Sequence, residues 1–318
     1  MIKKILLIKT SSLGDVIHAL PAVTDMKSAG AVARIEWVVE ESLVPIARLH
    51  PGVDDAIAVA IRRWRGTWWR GSVRSEVKAC AQRLQTQTYD AVIDAQGLFK
   101  SALIALAARG PRHGLDFHSA REPLAPFYHH TYRISWDLHA VERMRLLAAH
   151  ALGYAVPQRC DYGIHAAARG FAWLHSGEYA VLLHATSGDY KLWDEQNWIA
   201  LGSALNARGQ TCVLPWGNAR EQERSQRIAA GLRAAVVPPA MSLEEFAGLL
   251  AGGKTVVGVD TGLTHLAAAL GVPTVGIYTA TDPAATGIYG CARAANVGGI
   301  GRVPTAQQVM AAVEGLPA

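Results

Sequence analysis

A short apolar run that breaks off in small polar residues constrains the fold more than any other feature of this chain. Residues 5–8, Ile-Leu-Leu-Ile, form the continuous apolar segment that a strand buried on both faces requires. Gly14 allows a sharp turn before helical periodicity resumes. Pro21 has no N–H to donate, so we expect it to begin the longer helix rather than to lie inside it. Residues 5–21 therefore predict a strand, a tight loop and a helix, with Asp15 at the carboxyl end of the strand.

Two interpretations of Asp15 follow from that position. Ligands of open α/β sheets bind at the carboxyl ends of the strands, so a carboxylate placed there is a candidate for chemistry. Asp is also favoured at helix N-termini, and Asp15 could serve only to cap the helix. The choice between them depends on the rest of the chain.

Strand and helix patterns alternate through the remainder of the sequence, which predicts an α/β protein. Strands are expected near residues 34–41, 55–60, 89–94, 112–117, 178–187, 211–217, 234–237, 255–260 and 274–278. Helices are expected from residues 98, 193 and about 262 onward and over 139–150, 220–231, 242–250 and 305–313. The 318 residues suggest two domains. Because residues 153–177 lack a strong pattern, we expect domains of residues 1–155 and 156–318, with the last helix able to pack back on the first.

Composition excludes several protein classes. No apolar run reaches the roughly eighteen residues that cross a membrane, and the N-terminus has no signal-peptide pattern, so we expect a soluble, cytoplasmic protein. The four cysteines are far apart and lack Cys-x-x-Cys pairs, which predicts buried thiols rather than disulfides or a zinc site. No Asp-x-Asp pair follows a strand and no His/Asp cluster has metal-ligand spacing, so we expect no metal and no other cofactor.

Positive charge is concentrated in one segment. Residues 62–78 hold six basic residues and one acidic residue, a net charge of +5 that equals the net charge of the whole chain. Arginine binds phosphate and carboxylate through paired hydrogen bonds, and the tryptophans within residues 61–70 suit a partner that is both anionic and amphiphilic. The alternative is a solvated loop whose tryptophans pack back on the domain. We expect no nucleic acid, because the charge lies on one connection and no recognised motif accompanies it.

Polar side chains follow the strands of both halves. Gln96 and Lys100 come after the strand that ends at Asp94, which predicts that they lie at the same edge as Asp15. In the second half, residues 260–265, Asp-Thr-Gly-Leu-Thr-His, join a strand to a helix whose free N–H groups favour an anion.

A second loop, residues 186–191, adds hydroxyl groups and the cation of Lys191. Without a Walker or dinucleotide glycine motif, the two loops together suggest a diphosphate site. Asp260 could equally be an ordinary helix cap. Glu221 could accept from ribose hydroxyls or be an ordinary exposed helix glutamate.

Seven segments together resemble the lipopolysaccharide heptosyltransferases. They are Lys-Thr-Ser-Ser-Leu-Gly-Asp-Val at 9–16, Ala-Ile-Arg-Arg-Trp-Arg at 60–65, Asp-Ala-Gln-Gly-Leu at 94–98, Ala-Arg-Glu-Pro-Leu at 120–124, His-Ala-Thr at 184–186, Leu-Pro-Trp-Gly at 214–217 and Val-Asp-Thr-Gly-Leu-Thr-His at 259–265. The arginine-rich segment and residues 121–124 point to the heptosyltransferase I group, which acts on the inner-core Kdo sugar of lipid A.

The resemblance implies a GT-B glycosyltransferase, in which two Rossmann-like domains face each other across a cleft. The first domain would bind Kdo2-lipid A and the second ADP-heptose. Asp15 would be the general base of an inverting, metal-independent transfer. We also expect a monomer that is peripheral on the cytoplasmic face of the inner membrane.

Site residues are transferred by matching positions. Thr186, Ser187 and Lys191 would hold the diphosphate, supported by Asp260, Thr261, Gly262 and His265, while Glu221 would take the ribose and Met241 the adenine. The acceptor would meet Arg62, Arg63, Arg65, Lys100, Arg121 and His139. Two segments depart from the family pattern. Ser187 replaces a common Thr, and residues 278–283 read Tyr-Thr-Ala-Thr-Asp-Pro where Tyr-Gly-Pro-Thr-Asp-Pro is usual, so no role is transferred to Thr279 or Ala280.

Two alternative functions remain. One is a later-core heptosyltransferase, distinguished by its acceptor, and the other is a non-catalytic nucleotide-sugar-binding protein, which would not need Asp15.

Overall fold

The computed structural model describes residues 2–175 and 177–317 and divides the chain into two units, Met1–Ile164 and His165–Ala318. The division falls in the patternless stretch, slightly later than the expected boundary. Residues after α6 (Ala140–Leu152) still pack on the first unit. The carbonyl groups of Pro157 and Arg159 accept hydrogen bonds from Arg145 at 2.6 and 3.0 Å. Sequence patterns do not reveal such contacts.

The first unit is a parallel six-stranded sheet flanked by helices. Its strands are β1 (Ile2–Ile8), β2 (Val32–Glu40), β3 (Asp55–Val59), β4 (Ala91–Asp94), β5 (Arg112–Leu115) and β6 (His130–Tyr132). Its helices are α1 (Leu13–Ser28), α2 (Val44–Arg48), α3 (Ile61–Thr67), α4 (Gly71–Gln85), α5 (Phe99–Ala107) and α6. The strand order is β3-β2-β1-β4-β5-β6.

The second unit repeats this architecture. Its strands are β7 (Tyr179–Leu183), β8 (Thr211–Val213), β9 (Ala235–Val236), β10 (Thr255–Val259), β11 (Thr274–Tyr278) and β12 (Ala294–Gly298). Its helices are α7 (Glu195–Ala207), α8 (Ala219–Ala230), α9 (Leu243–Gly252), α10 (Gly262–Ala269), α11 (Pro283–Thr286) and α12 (Ala306–Glu314). The strand order is β12-β11-β10-β7-β8-β9, again all parallel.

Both sheets reverse their winding direction at one point. In the first sheet the reversal lies between β1 and β4, and in the second between β7 and β10. Open α/β sheets bind ligands in the crevice beyond the carboxyl ends of the strands at such a reversal. The segments that follow these four strands are therefore the favoured ligand sites. Gln96, Thr186 and Asp260 lie in the loops after β4, β7 and β10, and Asp15 lies in the first helical turn after β1. The predicted α/β class with two Rossmann-like units is confirmed.

Apolar burial on both faces of the central strands stabilises each sheet. All five residues of β10 are buried, and α7 packs Trp198 against Trp193 with ring centres 5.0 Å apart. The last helix, α12, packs on α7, β11 and β12 of its own unit. Among the described residues, no helix is both long and apolar enough to cross a bilayer.

The structure corrects several local expectations. Pro21 lies inside α1 rather than at the start of a helix, because the buried residues around it hold the helix against the sheet despite one missing N–H donor. The basic segment is not a loop but helix α3, followed by the unpredicted helix α4. Strands β6 and β12 were also not expected, since neither has a long apolar run.

Candidate active site

Asp15 lies in the first turn of α1, directly after the loop that leaves β1. Its Oδ2 accepts hydrogen bonds from the backbone N–H and the hydroxyl group of Ser12, both at 2.9 Å. The capping interpretation is therefore correct for one carboxylate oxygen. The other oxygen, Oδ1, lies 3.4 Å from Nζ of Lys9, and 39% of the Asp15 side chain is exposed. The same carboxylate thus caps the helix and lines an accessible cavity.

Lys9, the first residue after β1, controls the ionisation of Asp15. The lysine is buried, and its Nζ faces the carboxylate. Burial acts to raise the pKa of Asp15, but the charge of Lys9 and the hydrogen bonds from Ser12 outweigh it and lower that pKa to about 2. Burial also lowers the pKa of Lys9, although the charge of Asp15 opposes this shift. Asp15 is therefore ionised at neutral pH.

The loop that follows β4 is bonded to the loop that follows β1. Oε1 of Gln96 accepts hydrogen bonds from the backbone N–H groups of Thr10 and Ser11, at 3.0 and 3.1 Å. Nζ of Lys100 donates to Oγ of Ser11 at 3.1 Å. Asp94, which is fully buried, accepts from the backbone N–H of Gln96 at 2.9 Å. The predicted placement of Gln96 and Lys100 at the edge that carries Asp15 is confirmed.

A cation-rich wall surrounds the cavity beside Asp15. The lining includes Lys9, Asp15, His18, Gln96, Arg121, Trp136 and Arg143. The guanidinium of Arg143 lies 3.5 Å from the ring centre of Trp136, and that of Arg121 lies 6.0 Å from it. Arg143 donates to the carbonyl of Ser119 at 2.7 Å, but its buried Nε has no hydrogen-bond partner within the described ranges. An anionic ligand group would satisfy such a donor.

His139 has a structural contact that the sequence did not predict. It is the residue before α6, and its buried ring accepts a hydrogen bond at Nδ1 from the backbone N–H of Val141 at 3.2 Å. Its ring also meets the ring of His18 edge-on at a centroid distance of 5.6 Å. His18 lines the cavity, whereas His139 lies behind it and contacts the cavity through the ring of His18.

The three arginines of α3 differ in their availability. The side chain of Arg63 bridges Glu41 and Glu76 at 3.1 and 2.9 Å. Arg62 and Arg65 are exposed, and their side chains make no ion pair or hydrogen bond in the part of the chain that the structure describes. The backbone N–H of Arg62 donates to Oε1 of Glu40 at 3.2 Å. Only Arg62 and Arg65 are therefore free to meet an anion without breaking an existing contact.

Asp260 is the centre of a polar network in the second unit. Its Oδ2 accepts hydrogen bonds from Nζ of Lys191 at 2.7 Å and from the hydroxyl of Thr281 at 2.9 Å. Nε2 of His265 lies 3.6 Å from Oδ1. Burial acts to raise the pKa of Asp260, but the hydrogen bonds from His265 and Lys191 outweigh it and hold that pKa well below its usual range. The ionised carboxylate thus holds Lys191 at the start of α10.

The two polar loops of the second unit are joined. The hydroxyl of Thr186 donates to the backbone carbonyl of Asp260 at 2.9 Å. Helix α10 begins at Gly262, with Thr261 as the preceding residue, so its first N–H groups and the positive end of its dipole lie beside this junction. The hydroxyl of Thr264, in contrast, is buried and donates to the carbonyl of Val259 at 2.8 Å. The Thr264 hydroxyl is therefore not available to a ligand.

A separate cavity of the second unit contains three predicted donor residues. Its lining includes Thr186, Ser187, Asn218, Arg220, Glu221 and Arg224. The carboxylate of Glu221 accepts from the backbone N–H of Gly217 and from Nδ2 of Asn218, both at 2.7 Å. Glu221 is therefore a fixed group of the first turn of α8 rather than a free surface side chain. Met241 is half-buried just before α9, and it is not among the residues that line this cavity.

Sequence reasoning missed three polar residues of these sites. Lys9 could have been noticed, because a charge directly after a buried strand lies at the ligand edge. Arg143 could also have been noticed, because it is four residues before Leu147 and so shares the apolar face of α6. Thr281 keeps the residue that is usual in the family, next to the two departing positions Thr279 and Ala280, but no role was transferred to it.

None of the four cysteines, which all lie in described residues, forms a disulfide. Cys212 is buried as predicted, whereas Cys80, Cys160 and Cys291 are half-buried. Within residues 2–175 and 177–317, no group of three or more His, Cys, Asp and Glu side chains is arranged to hold a metal ion.

Comparison with known proteins gives one consistent family. The model of glycosyltransferase family 9 (heptosyltransferase) matches residues 77–313. Lipopolysaccharide heptosyltransferase 1 of Escherichia coli K12 is 48% identical over 292 residues, which cover 90% of this chain and 91% of that protein.

Solved structures agree with the sequence match. The E. coli heptosyltransferase WaaC with ADP has a TM-score of 0.88 and 43% identity, covering 98% of this chain and 99% of that one. The same enzyme with ADP-2-deoxy-2-fluoro heptose has a TM-score of 0.85 at the same identity and coverage. These whole-chain matches confirm the predicted GT-B fold.

Proposed function

This chain belongs to glycosyltransferase family 9, the heptosyltransferases, and we propose that it transfers heptose from ADP-heptose to the inner Kdo sugar of Kdo2-lipid A. In this proposal the transfer inverts the anomeric centre and needs no metal ion. The observation that carries it is the ionised carboxylate of Asp15 at the edge of a cavity with a cationic wall.

The donor assignment rests on the second unit. The structural relatives of this chain were solved with ADP and with ADP-2-deoxy-2-fluoro heptose. Lys191, the hydroxyl of Ser187 and the N–H groups at the start of α10 supply positive charge and hydrogen-bond donors for a diphosphate. Thr186, whose hydroxyl donates to the carbonyl of Asp260, would hold the two diphosphate loops together. Glu221 would accept from the ribose and Met241 would line the adenine site. Asp260 and His265 would act by holding Lys191 in place.

Asp15 would act as the general base. The Kdo hydroxyl oxygen bonds to the anomeric carbon of heptose while the carbon–oxygen bond to the diphosphate breaks. The hydroxyl proton passes to Asp15, and the electron pair of the broken bond leaves on ADP. Because the pKa of Asp15 is about 2, the carboxylate cannot remove the proton in advance. Proton transfer therefore accompanies bond formation.

The protein itself would neutralise the negative charge of the leaving group. The charge that develops on ADP would be met by Lys191 and by the dipole of α10. Because Lys191 is already held at 2.7 Å from Asp260, little reorganisation is needed when the charge develops. This supply of fixed positive charge replaces the role that a bound divalent ion has in other transferases.

Kdo is the proposed acceptor because it carries a carboxylate close to its hydroxyl groups. Arg121, Arg143 and Lys9 surround the cavity in which Asp15 lies, and the unpaired Nε of Arg143 is a ready donor for an anion. Lys100 would support the loop after β1 through its hydrogen bond to Ser11, and His139 would support His18 beside the same cavity. Arg62 and Arg65 would meet phosphate groups of the acceptor, and Arg63 would contribute only after release from its two glutamates.

The direct test measures release of ADP from ADP-heptose by the purified protein in the presence of EDTA. We expect release that depends on deacylated Kdo2-lipid A and a product whose mass has increased by one heptose. Release only with an already heptosylated core would assign the chain to a later step of the core. Binding of ADP-heptose with no turnover on either acceptor would favour a non-catalytic sugar-nucleotide-binding protein.

We further propose that the protein is a monomer working at the cytoplasmic face of the inner membrane.

A further inference from the structure

Helix α5 has an apolar face that points to solvent. Phe99, Leu103 and Leu106 are 48, 63 and 42% exposed. Their spacing of four and three residues places them on one side of the helix, while Ala102 and Ala105 are buried on the other. A three-residue stripe of large exposed apolar side chains marks a surface that meets another apolar phase.

Two tryptophans extend this apolar surface. Trp68 and Trp69, between α3 and α4, are 67 and 60% exposed and contact each other edge-on at a ring distance of 6.5 Å. The sequence left open whether these rings pack back on the domain, and the structure places them outward. Exposed neighbouring tryptophans are unusual in a surface that meets only water.

The tryptophans and the α5 stripe lie on the same side of the unit. Ile61 and Trp64 of α3, Leu84 of α4 and Ala105 of α5 belong to one apolar cluster on one face of the first sheet. Helix α4 also packs directly on α5. Helices α3 and α5 each follow the carboxyl end of a parallel strand, so both begin at the edge that carries Asp15.

Unpaired positive charge accompanies these apolar groups. The side chains of five exposed basic residues of this region form no ion pair or hydrogen bond in the described part of the chain: Arg62, Arg65, Arg70, Arg74 and Lys78. Arg74 and Lys78 are four residues apart and share one face of α4, and the half-exposed Val77 lies beside them. The acidic Glu76 is already occupied by Arg63 and by the indole N–H of Trp64.

We propose that this region, which we call the α3–α5 surface (residues 62–78 and the exposed face of α5), docks on an anionic phospholipid bilayer. Indole rings prefer the boundary between headgroups and acyl chains, and arginine and lysine are attracted to anionic headgroups. The charge is complementary to a lipid surface and would repel a second copy of the same surface. Docking would present the edge that carries Asp15 to an acceptor embedded in the bilayer. That purpose rests on the proposed function, whereas the docking itself does not.

The test is co-sedimentation of the full-length protein with vesicles of phosphatidylethanolamine and phosphatidylglycerol that contain no acceptor. We expect binding to these vesicles, weaker binding to phosphatidylcholine vesicles, and loss of binding at high salt. The Trp68→Ser/Trp69→Ser variant should bind at least about tenfold more weakly, since two interfacial anchors are lost. The matched control is Ile300→Ser/Val303→Ser, which removes side chains of the second unit that are similarly exposed, at 67 and 59%. This control should bind like the wild type.

Charge is tested separately from apolar anchoring. Arg74→Glu/Lys78→Glu should reduce binding to anionic vesicles by about tenfold or more and leave the weak binding to phosphatidylcholine unchanged. Arg133→Glu/Arg233→Glu changes the net charge equally at exposed positions elsewhere and should have a small effect. Equal loss in both charge variants would contradict a localised docking surface.

Activity on a water-soluble acceptor separates this inference from the proposed function. The Trp68→Ser/Trp69→Ser variant should keep wild-type turnover on deacylated acceptor and lose turnover on vesicle-embedded acceptor. Failure of the wild-type protein to turn over the soluble acceptor would refute the proposed function but leave vesicle binding as a separate result. Wild-type protein that does not sediment with anionic vesicles would overturn the docking proposal. So would a dimer in light scattering that the tryptophan variant abolishes.

Discussion

Nζ of Lys9 lies 3.4 Å from Oδ1 of Asp15, and the lysine is buried whereas the carboxylate reaches solvent. The pair joins the end of β1 to the first turn of α1. Because burial acts to raise the pKa of Asp15, the ionised state of this carboxylate at moderately acid pH depends on Lys9 and on the hydrogen bonds from Ser12.

Removal of Lys9 should change the pH dependence of the reaction. With a pKa of about 2, Asp15 stays ionised through the whole working range, so its titration does not limit the wild-type rate near neutral pH. In Lys9→Met the effect of burial is no longer opposed by the lysine charge, and the pKa of Asp15 rises. Activity should then fall as pH decreases, at a higher pH than in the wild type. A pH–rate profile of kcat measures this shift.

Lys9→Arg is the control for that experiment, since it keeps the charge. In the Lys9→Arg variant, kcat should fall on the acid side at the same pH as in the wild type, even if its absolute value is lower. A Lys9→Met profile with the same shape as the wild type would mean that Lys9 has only a packing role.

Lys191 should contribute to donor affinity. Its Nζ is held 2.7 Å from Asp260 at the start of α10, where the diphosphate is proposed to lie. A hydrogen bond to a charged group contributes about 1.5–3 kcal/mol, so Lys191→Ala should weaken ADP binding by about ten- to a hundredfold in calorimetry. Lys254→Ala is the matched control, because Lys254 pairs with Glu178 on the surface of the same unit and should not affect ADP affinity. Equal affinities in the two variants would exclude Lys191 from the donor site.

Much of this arrangement could be predicted from the sequence, because strand ends are marked locally. The apolar runs of β1, β4, β7 and β10 stop at polar residues, which located Asp15, Gln96, Thr186 and Asp260 just after the carboxyl ends of these strands. The helix predicted over 242–250 is α9, which begins at a capping box formed by Ser242 and Glu245.

The remaining contacts join residues that are distant in sequence. The sequence alone could not reveal that Arg143 stacks on Trp136, that Arg63 is held by Glu41, or that Thr281 reaches Asp260. These pairings depend on tertiary packing, which local periodicity does not encode. Short strands such as β6, with three residues, carry too little pattern to recognise.

The arginines of α3 should differ in their effect on the acceptor. Because Arg62 is exposed and unpaired in the described residues whereas Arg63 bridges Glu41 and Glu76, Arg62→Ala should raise the acceptor KM more than Arg63→Ala. The double variant should weaken acceptor use more than donor use, measured as the two KM values on deacylated acceptor. An equal rise in both KM values would count against an acceptor role for this helix.

A buried ion pair should stabilise the first unit. Arg145 of α6 donates from Nε to Oδ2 of Asp25 on α1 at 2.7 Å, and both side chains are almost fully buried. Removing one partner leaves an uncompensated buried charge, so Arg145→Met should lower the free energy of unfolding by about 3–5 kcal/mol. The control is Arg208→Met, whose partner Glu314 is about half-exposed, and it should change stability by less than about 1 kcal/mol. Urea titrations of both variants make the comparison, and similar midpoints would contradict it.

The most direct test of the account measures the kcat of Asp15→Asn together with its affinity for ADP-heptose. Asparagine can still accept the hydrogen bonds from Ser12 that cap α1, but it cannot take a proton from the acceptor hydroxyl. We expect kcat to fall by about a hundred- to ten-thousandfold, while the donor affinity from calorimetry stays close to wild type. A variant that keeps a near wild-type kcat would show that Asp15 only caps the helix and that the base of the reaction lies elsewhere.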